Sequence, residues 1–164
     1  NEIILEVLED FEINGSKISS TSIRELLIHS KFQEASKLLG RTYQISGKVI
    51  KGISLGKRIS TPTANIDIEN KEFCFSGVFL GKTEIDQIGY FCIINFGPKP
   101  TFDDYEQSLE VHILDYDGNI YDEALSIEFL CKIRDQIRFN SIDELKNQIN
   151  EDKIKAEELK ELYE

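Results

Sequence analysis

The chain has 164 residues, 40% of them hydrophobic, with a formal net charge of −11 and an isoelectric point near 4.7. That length suffices for one well-filled core and a small appendage. Its acidity argues against nucleic acid as the main partner, because phosphate backbones call for basic surface, and no run of 18 apolar residues marks a membrane span or an export leader. The three cysteines, Cys74, Cys92 and Cys131, are odd in number and widely spaced. They fit reduced core thiols in a cytoplasmic protein, not a disulfide framework or a zinc site. The chain opens on Asn1 and contains no methionine, which suggests a piece of a longer protein.

In chain order, residues 2–13 alternate loosely and end at the turn signal Asn14-Gly15-Ser16. In "ISSTSIRELLIHS", Ser22 followed by Glu25 has the capping-box spacing, and Ile23, Leu26 and Leu27 form one apolar face of a short helix. A second helix is expected from Phe32 to Leu39, closed by Gly40. From Tyr43 the pattern shifts to short strands: "YQISGKVI", "ANIDI", "GVFLG", "GYFCIINF", "SLEVHILDY" and "LSIEFLCKI". Six such runs, with no room for crossover helices, point to an antiparallel barrel or sandwich. "DYDGNIY" reads as a tight hairpin built on Asp117-Gly118. The last segment is a helix opening on a capping box of Ser141 and Glu144, with Ile142, Leu145 and Ile149 as its buried stripe.

Charge is unevenly spread. Between Ser36 and Ile66 there is no acid, while Lys37, Arg41, Lys48, Lys51, Lys57 and Arg58 give +6. The remaining 13 basic and 30 acidic residues give −17. A basic island in an acidic chain is a candidate anion site. Within it lies "KGISLGKRISTPTANI". Gly52 and Gly56 permit tight turns that expose backbone amides, Lys57 adds charge, and Pro62 keeps the entry to the next strand extended. Strand alternation then puts Thr63, Asn65 and Asp67 on one face. A hydroxyl and an amide oxygen at that spacing are hard ligands suited to Mg²⁺ carrying nucleotide phosphates; a solvated strand edge would read the same way. The Walker A spacing is absent.

In "SLEVHIL", Ser108, Glu110 and His112 oppose Leu109, Val111 and Ile113. A strand-fixed carboxylate could take a proton from a substrate hydroxyl, or the face could be merely polar and exposed. His112 reads as a partly buried histidine without a ligand role. In "IRDQIRF", Arg134 and Arg138 could grip an anion and Phe139 could stack on an aromatic ligand, or the arginines could form surface ion pairs.

Taken together and in this order, "LLGRTYQISGKVIKG", "PTANI", "GVF", "INFGPKPTF", "LEVHILDYDGNIY" and "IEFLCKIRDQIRF" resemble the riboflavin kinase family in its bacterial form, fused to an FMN adenylyltransferase. Pro62-Thr63-Ala64-Asn65 is the most specific element. The resemblance implies a mainly β fold, a six-stranded antiparallel barrel with a C-terminal helix over residues 41–164. Residues 1–40, including "ISSTSIR", would be the α-helical tail of an adenylyltransferase domain that is missing here. It further implies transfer of the ATP γ-phosphate to the ribityl 5′-hydroxyl of riboflavin, giving FMN. By position, Thr63 and Asn65 would hold Mg²⁺ and the phosphates, Gly52 and Lys57 would belong to the ATP loop, and Glu110 would be the base. Arg134 and Phe139 would lie beside the flavin. A flavin- or nucleotide-binding module with weak or no catalysis is the alternative. The family commonly has a glycine where Ser60 stands, a glutamate at Gln136 and a glycine at Asp122.

Overall fold

The computed structural model describes residues 12–13, 16–51, 62–69, 71–99 and 104–164. A two-stranded ladder, β1 (Glu12–Ile13) and β2 (Ser16–Lys17), is followed by α1 (Ser20–Ile28) and α2 (Phe32–Leu39). Then come β3 (Gln44–Ile50), β4 (Ala64–Ile66), β5 (Gly77–Ile85), β6 (Ile88–Lys99), β7 (Asp104–Ile113) and β8 (Ala124–Arg134), and last α3 (Ile142–Lys160). Strands β3 to β8 close into an antiparallel barrel in the order β3-β4-β7-β6-β5-β8, the six-stranded barrel and C-terminal helix expected from the sequence. Closure leaves these strands no free edge.

Alternation fills the barrel. Cys92, Ile94 and Phe96 of β6 and Leu109, Val111 and Ile113 of β7 point inward and are buried. At one end α2 acts as a plug: Phe32, 1% exposed, meets the rings of Tyr43, Phe75, Phe79 and Phe129 at centroid distances of 5.3–5.9 Å. Such offset and edge-to-face contacts add to the area that the rings bury. Gly40 ends α2 in the left-handed conformation at φ 68°, as its position predicted.

A second, smaller core lies outside the barrel, where Val78, Leu80, Ile93 and Leu130 meet Ala156 and Leu159 of α3. The helix stripe facing the barrel runs through Leu145, Ile149, Asp152, Ala156 and Leu159; Ile142, expected in it, is 59% exposed. Asp152 is tolerated at its centre, 5% exposed, because Arg134 donates to both of its carboxylate oxygens at 2.8 and 2.7 Å. Gln148 adds a third donor at 3.2 Å. A buried charge is admissible only when paired and hydrogen-bonded in this way.

Other expectations need correction. The first helix is capped by Ser19, whose hydroxyl accepts from Ser22 N, with Ser22 returning the bond; the Ser22–Glu25 box does not form. Ser141 caps α3, but Glu144 reaches back to Asn140 N and not to its cap residue. Asp117-Gly118 is no hairpin, since β7 and β8 are not neighbours in the barrel and residues 116–120 carry the chain across its end. The tight hairpin is at Asp86-Gln87, both at positive φ (51° and 66°), between the paired Ile85 and Ile88. Cys92 is a core thiol as expected, whereas Cys74 is exposed; all three cysteines are free. Asp122 occupies a left-handed backbone position, φ 69°, where glycine is unstrained and aspartate is tolerated; Lys48 holds its carboxylate at 2.8 Å.

Truncating the plug tests this packing. Phe32→Ala should cost about 3–5 kcal/mol, read as a lower urea midpoint, because the ring cluster cannot collapse around the void. Asp152→Ala, which strands Arg134, should cost about 3 kcal/mol.

Candidate active site on the outer face of the barrel

The register of three neighbouring strands builds the site. Asn65 of β4 pairs with Glu110 of β7, and Glu110 pairs in turn with Asn95 of β6. Directly opposed residues share a face, with Cβ atoms about 4.5–5.5 Å apart. The next row, Ile66, Leu109 and Phe96, fills the core, so amide, carboxylate and amide look outward, all three half-buried. The same row continues through Val78 of β5 to Arg134 of β8. The structure thus brings Asn65 and Glu110 side by side; Arg134 lies three strands round the closed barrel from Glu110, so the register does not bring it to them.

Thr63, two residues before Asn65, is half-buried at the head of β4. It borders a cavity of about 320 Å³ at the barrel mouth, whose walls include Val49, Val111, Ile113 and Ile120. Residues 116–121, the crossing connection, close its far side. The backbone just ahead of Thr63 is pinned by His112, whose Nδ1 lies 2.8 Å from the Pro62 carbonyl oxygen. A carbonyl only accepts, so Nδ1 carries the proton. Burial lowers the proton affinity of His112, the nearby Lys153 charge lowers it further, and the Pro62 bond opposes both. His112 therefore ties β7 to the Pro-Thr-Ala-Asn segment, a role its sequence position did not disclose.

Thr63 and Asn65 together offer a neutral hydroxyl and an amide oxygen. Among the described residues no group of three or more His, Cys, Asp or Glu could hold a metal. This donor set fits a hard cation that arrives with phosphate and water ligands, and Mg²⁺ is such an ion. Asp67 is exposed and accepts from the backbone N–H of Glu69 through Oδ1 at 2.9 Å. Gly52 and Lys57 lie outside the described residues.

Arg134 and Phe139 do come together, the guanidinium carbon 6.0 Å from the ring centroid. Yet the Arg134 guanidinium is committed to Asp152 and to the Asp135 carbonyl oxygen, which makes it the clamp of α3. Asn95 was missed in the sequence, and Gln136 was noted only as a departure from the family's usual glutamate. Asn95 is the only polar side chain in the run Cys92 to Phe96, the single sign that it faces outward to a purpose. Gln136 Nε2 donates to Asn95 Oδ1 and to the Phe96 carbonyl oxygen, both at 3.1 Å. Gly97, at φ 127°, makes room there: a Cβ would stand 2.5 Å from Ser76 Cβ and 3.3 Å from Gln136 Nε2.

Comparison with known proteins shows the family. The family model for riboflavin kinase matches residues 39–160. A bifunctional riboflavin kinase/FMN adenylyltransferase of Pseudomonas fluorescens is 36% identical over 94% of this chain and 50% of its own length. That of Haemophilus influenzae is 41% identical over 91% of this chain and 49% of its own. The chain thus spans about half the length of the curated relatives it matches. A crystal structure of a macrolide-efflux protein from Streptococcus pneumoniae superposes with a TM-score of 0.76 at 34% identity, covering 90% of this chain and 49% of that one.

The His112 contact has a pH signature. Its proton affinity is lower in the folded chain than the ordinary value of 6.5. On acidification the unfolded chain therefore takes up the proton first, and stability falls as pH drops through about 6.5, by at most ~1.4 kcal/mol per pH unit. In urea titrations between pH 8 and 5, His112→Asn should lose that part of the slope. Equal slopes in both proteins would contradict the assignment.

Proposed function

The chain belongs to the riboflavin kinase family, and on that premise we propose that it transfers the terminal phosphate of ATP to the ribityl 5′-hydroxyl of riboflavin, giving FMN, with Mg²⁺ as the metal. The observation that carries this reading is Glu110 standing directly between Asn65 and Asn95 on the outward face. Phosphoryl transfer asks for positioning and charge neutralisation more than covalent chemistry, and a paired strand supplies rigidity. Glu110 orients the attacking hydroxyl and takes its proton. Thr63 and Asn65 seat the metal-bound phosphates through neutral oxygens, while His112 holds the strand entry in place. Mg²⁺, when bound, supplies positive charge against the negative charge gathering on the transferred group.

Because Thr63 also borders the barrel-mouth cavity, a nucleotide with its phosphates at Thr63 extends its base between Val49, Val111 and Ile120, apolar walls suited to a flat ring. Gly52 and Lys57 are assigned to the loop over the phosphates. Phe139 offers the flavin a ring face, and Arg134, held by Asp152, keeps that ring in place. Residues 1–40 are assigned to the tail of an FMN adenylyltransferase domain and residues 41–164 to the kinase, so that the parent protein both makes FMN and adenylylates it in the cytoplasm. No helix among the described residues is long and apolar enough to cross a membrane.

The test is chromatographic separation of flavins after incubation with riboflavin, ATP and MgCl₂. Wild type should form FMN only when the metal is present, and Glu110→Gln should turn over about 10²–10⁴-fold more slowly, the usual span for a lost general base. A variant within threefold of wild type would remove Glu110 from that role. Binding of ADP and FMN without turnover would favour a binding module.

A further inference from the structure

Beside the catalytic row lies a polar group whose hydrogen bonding is incomplete. Both N–H groups of the Gln136 amide are used, one toward Asn95 Oδ1 and one toward the Phe96 carbonyl oxygen. This fixes both amides: the Phe96 carbonyl can only accept, so Gln136 must present its NH₂ there, and Asn95 must then present Oδ1 to the same nitrogen. Gln136 Oε1 is then left buried, without a hydrogen-bond partner among the described residues. Leaving such an acceptor unpaired costs about 1–3 kcal/mol, so folded chains seldom keep one without a use.

The same contact orients Asn95. With its Oδ1 turned to Gln136, its NH₂ group is what remains for the side of Glu110, its direct cross-strand partner. The row therefore sets a donor, Asn95 Nδ2, beside the carboxylate assigned as base, and Asn95 is hydrogen-bonded to Gln136, whose Oε1 is the spare acceptor. A group that donates and accepts at once is a hydroxyl. Riboflavin carries secondary hydroxyls on the carbons that precede its reacting 5′-hydroxyl, within the reach of one cross-strand step.

We propose that Asn95 and Gln136 form a polyol-reading pair: a secondary ribityl hydroxyl donates to Gln136 Oε1 and accepts from Asn95 Nδ2, fixing the chain so that the 5′-hydroxyl meets Glu110. The proposal rests on the kinase reading of this site and names its specificity. Gln136 sits in the connection between β8 and α3, where Asp135, Ile137 and Arg138 are exposed; admitting the hydroxyl to the buried Oε1 requires this connection to move. A flavin whose side chain keeps the terminal hydroxyl alone would lose both bonds and leave the two amides unsatisfied, the situation in which polar sites discriminate most strongly.

The experiment compares kcat/KM for riboflavin and for a flavin bearing a 5-hydroxypentyl chain at N10, in wild type and in Gln136→Met, with KM for ATP recorded in parallel. Wild type should prefer riboflavin by about 10–100-fold, from the energy of unpaired buried polar groups. Gln136→Met should lose most of that preference by falling on riboflavin alone, with KM for ATP unchanged. Equal falls on both flavins, or a rise in KM for ATP, would mark Gln136 as merely structural and overturn the proposal. Should Gln136→Met fail to fold, the wild-type ratio decides: no discrimination between the flavins refutes the pair. If wild type phosphorylates neither flavin, the kinase reading itself fails, an outcome distinct from phosphorylation without preference.

Discussion

The site depends on a single constraint, that a six-stranded barrel of this size is filled by its own side chains. Ile66, Ile94, Phe96, Leu109, Val111 and Ile127 are all 3% exposed or less, so the middle of the barrel is apolar and its open space lies at the mouth. Period-2 alternation then sends Asn65, Glu110 and Asn95 outward as a row, in register because the strands that carry them are hydrogen-bonded side by side. A one-residue slip of β4 would turn Asn65 into the core and Ile66 to the surface. The three-residue length of β4 is sufficient only because β3 and β7 hold it from both sides and His112 anchors Pro62.

Two elements outside the barrel support this row from opposite directions. The α2 plug closes the aromatic core through Phe32, which sets the positions of Phe79 and Phe129 and so of β5 and β8. The helix α3 lies on the outer face and is tied to the end of β8 by the Arg134–Asp152 pair. Between β8 and α3 runs the connection that carries Gln136 and Phe139. Arg134 joins these parts: its charge is used to bury an aspartate under the helix, and its guanidinium carbon lies 6.0 Å from the centroid of the Phe139 ring.

Much of this was legible in the sequence, for identifiable reasons. Strand runs declare themselves by alternation, and the Pro62-Thr63-Ala64-Asn65 spacing fixes which side chains share a face, whatever the rest of the chain does. What escaped is non-local. Asp117-Gly118 carries a strong hairpin signal, but β7 and β8 are separated by the closure order of the barrel, which no local pattern encodes. Ser19 and Ser22 are both good caps, and the reciprocal bonds between them decide for the earlier one. Asp152 gives no local sign of burial, because its partner lies 18 residues upstream on a strand. Asn95 became visible only when register and chain return set it 3.1 Å from Gln136, which the sequence marked only as a departure from the usual glutamate. Asp122 is the reverse case: a position where the family usually has glycine indeed has the backbone of one.

The central claim is that chemistry occurs on the outer face of the barrel, at the row formed by Asn65, Glu110 and Asn95. A crystal structure of the chain with Mg²⁺, ADP and FMN would test it most directly. The account predicts the FMN phosphate ester oxygen within hydrogen-bonding distance of Glu110, the metal in contact with Thr63 and Asn65, and the adenine between Val49 and Ile120. A flavin lodged elsewhere, with Glu110 facing only solvent, would contradict it.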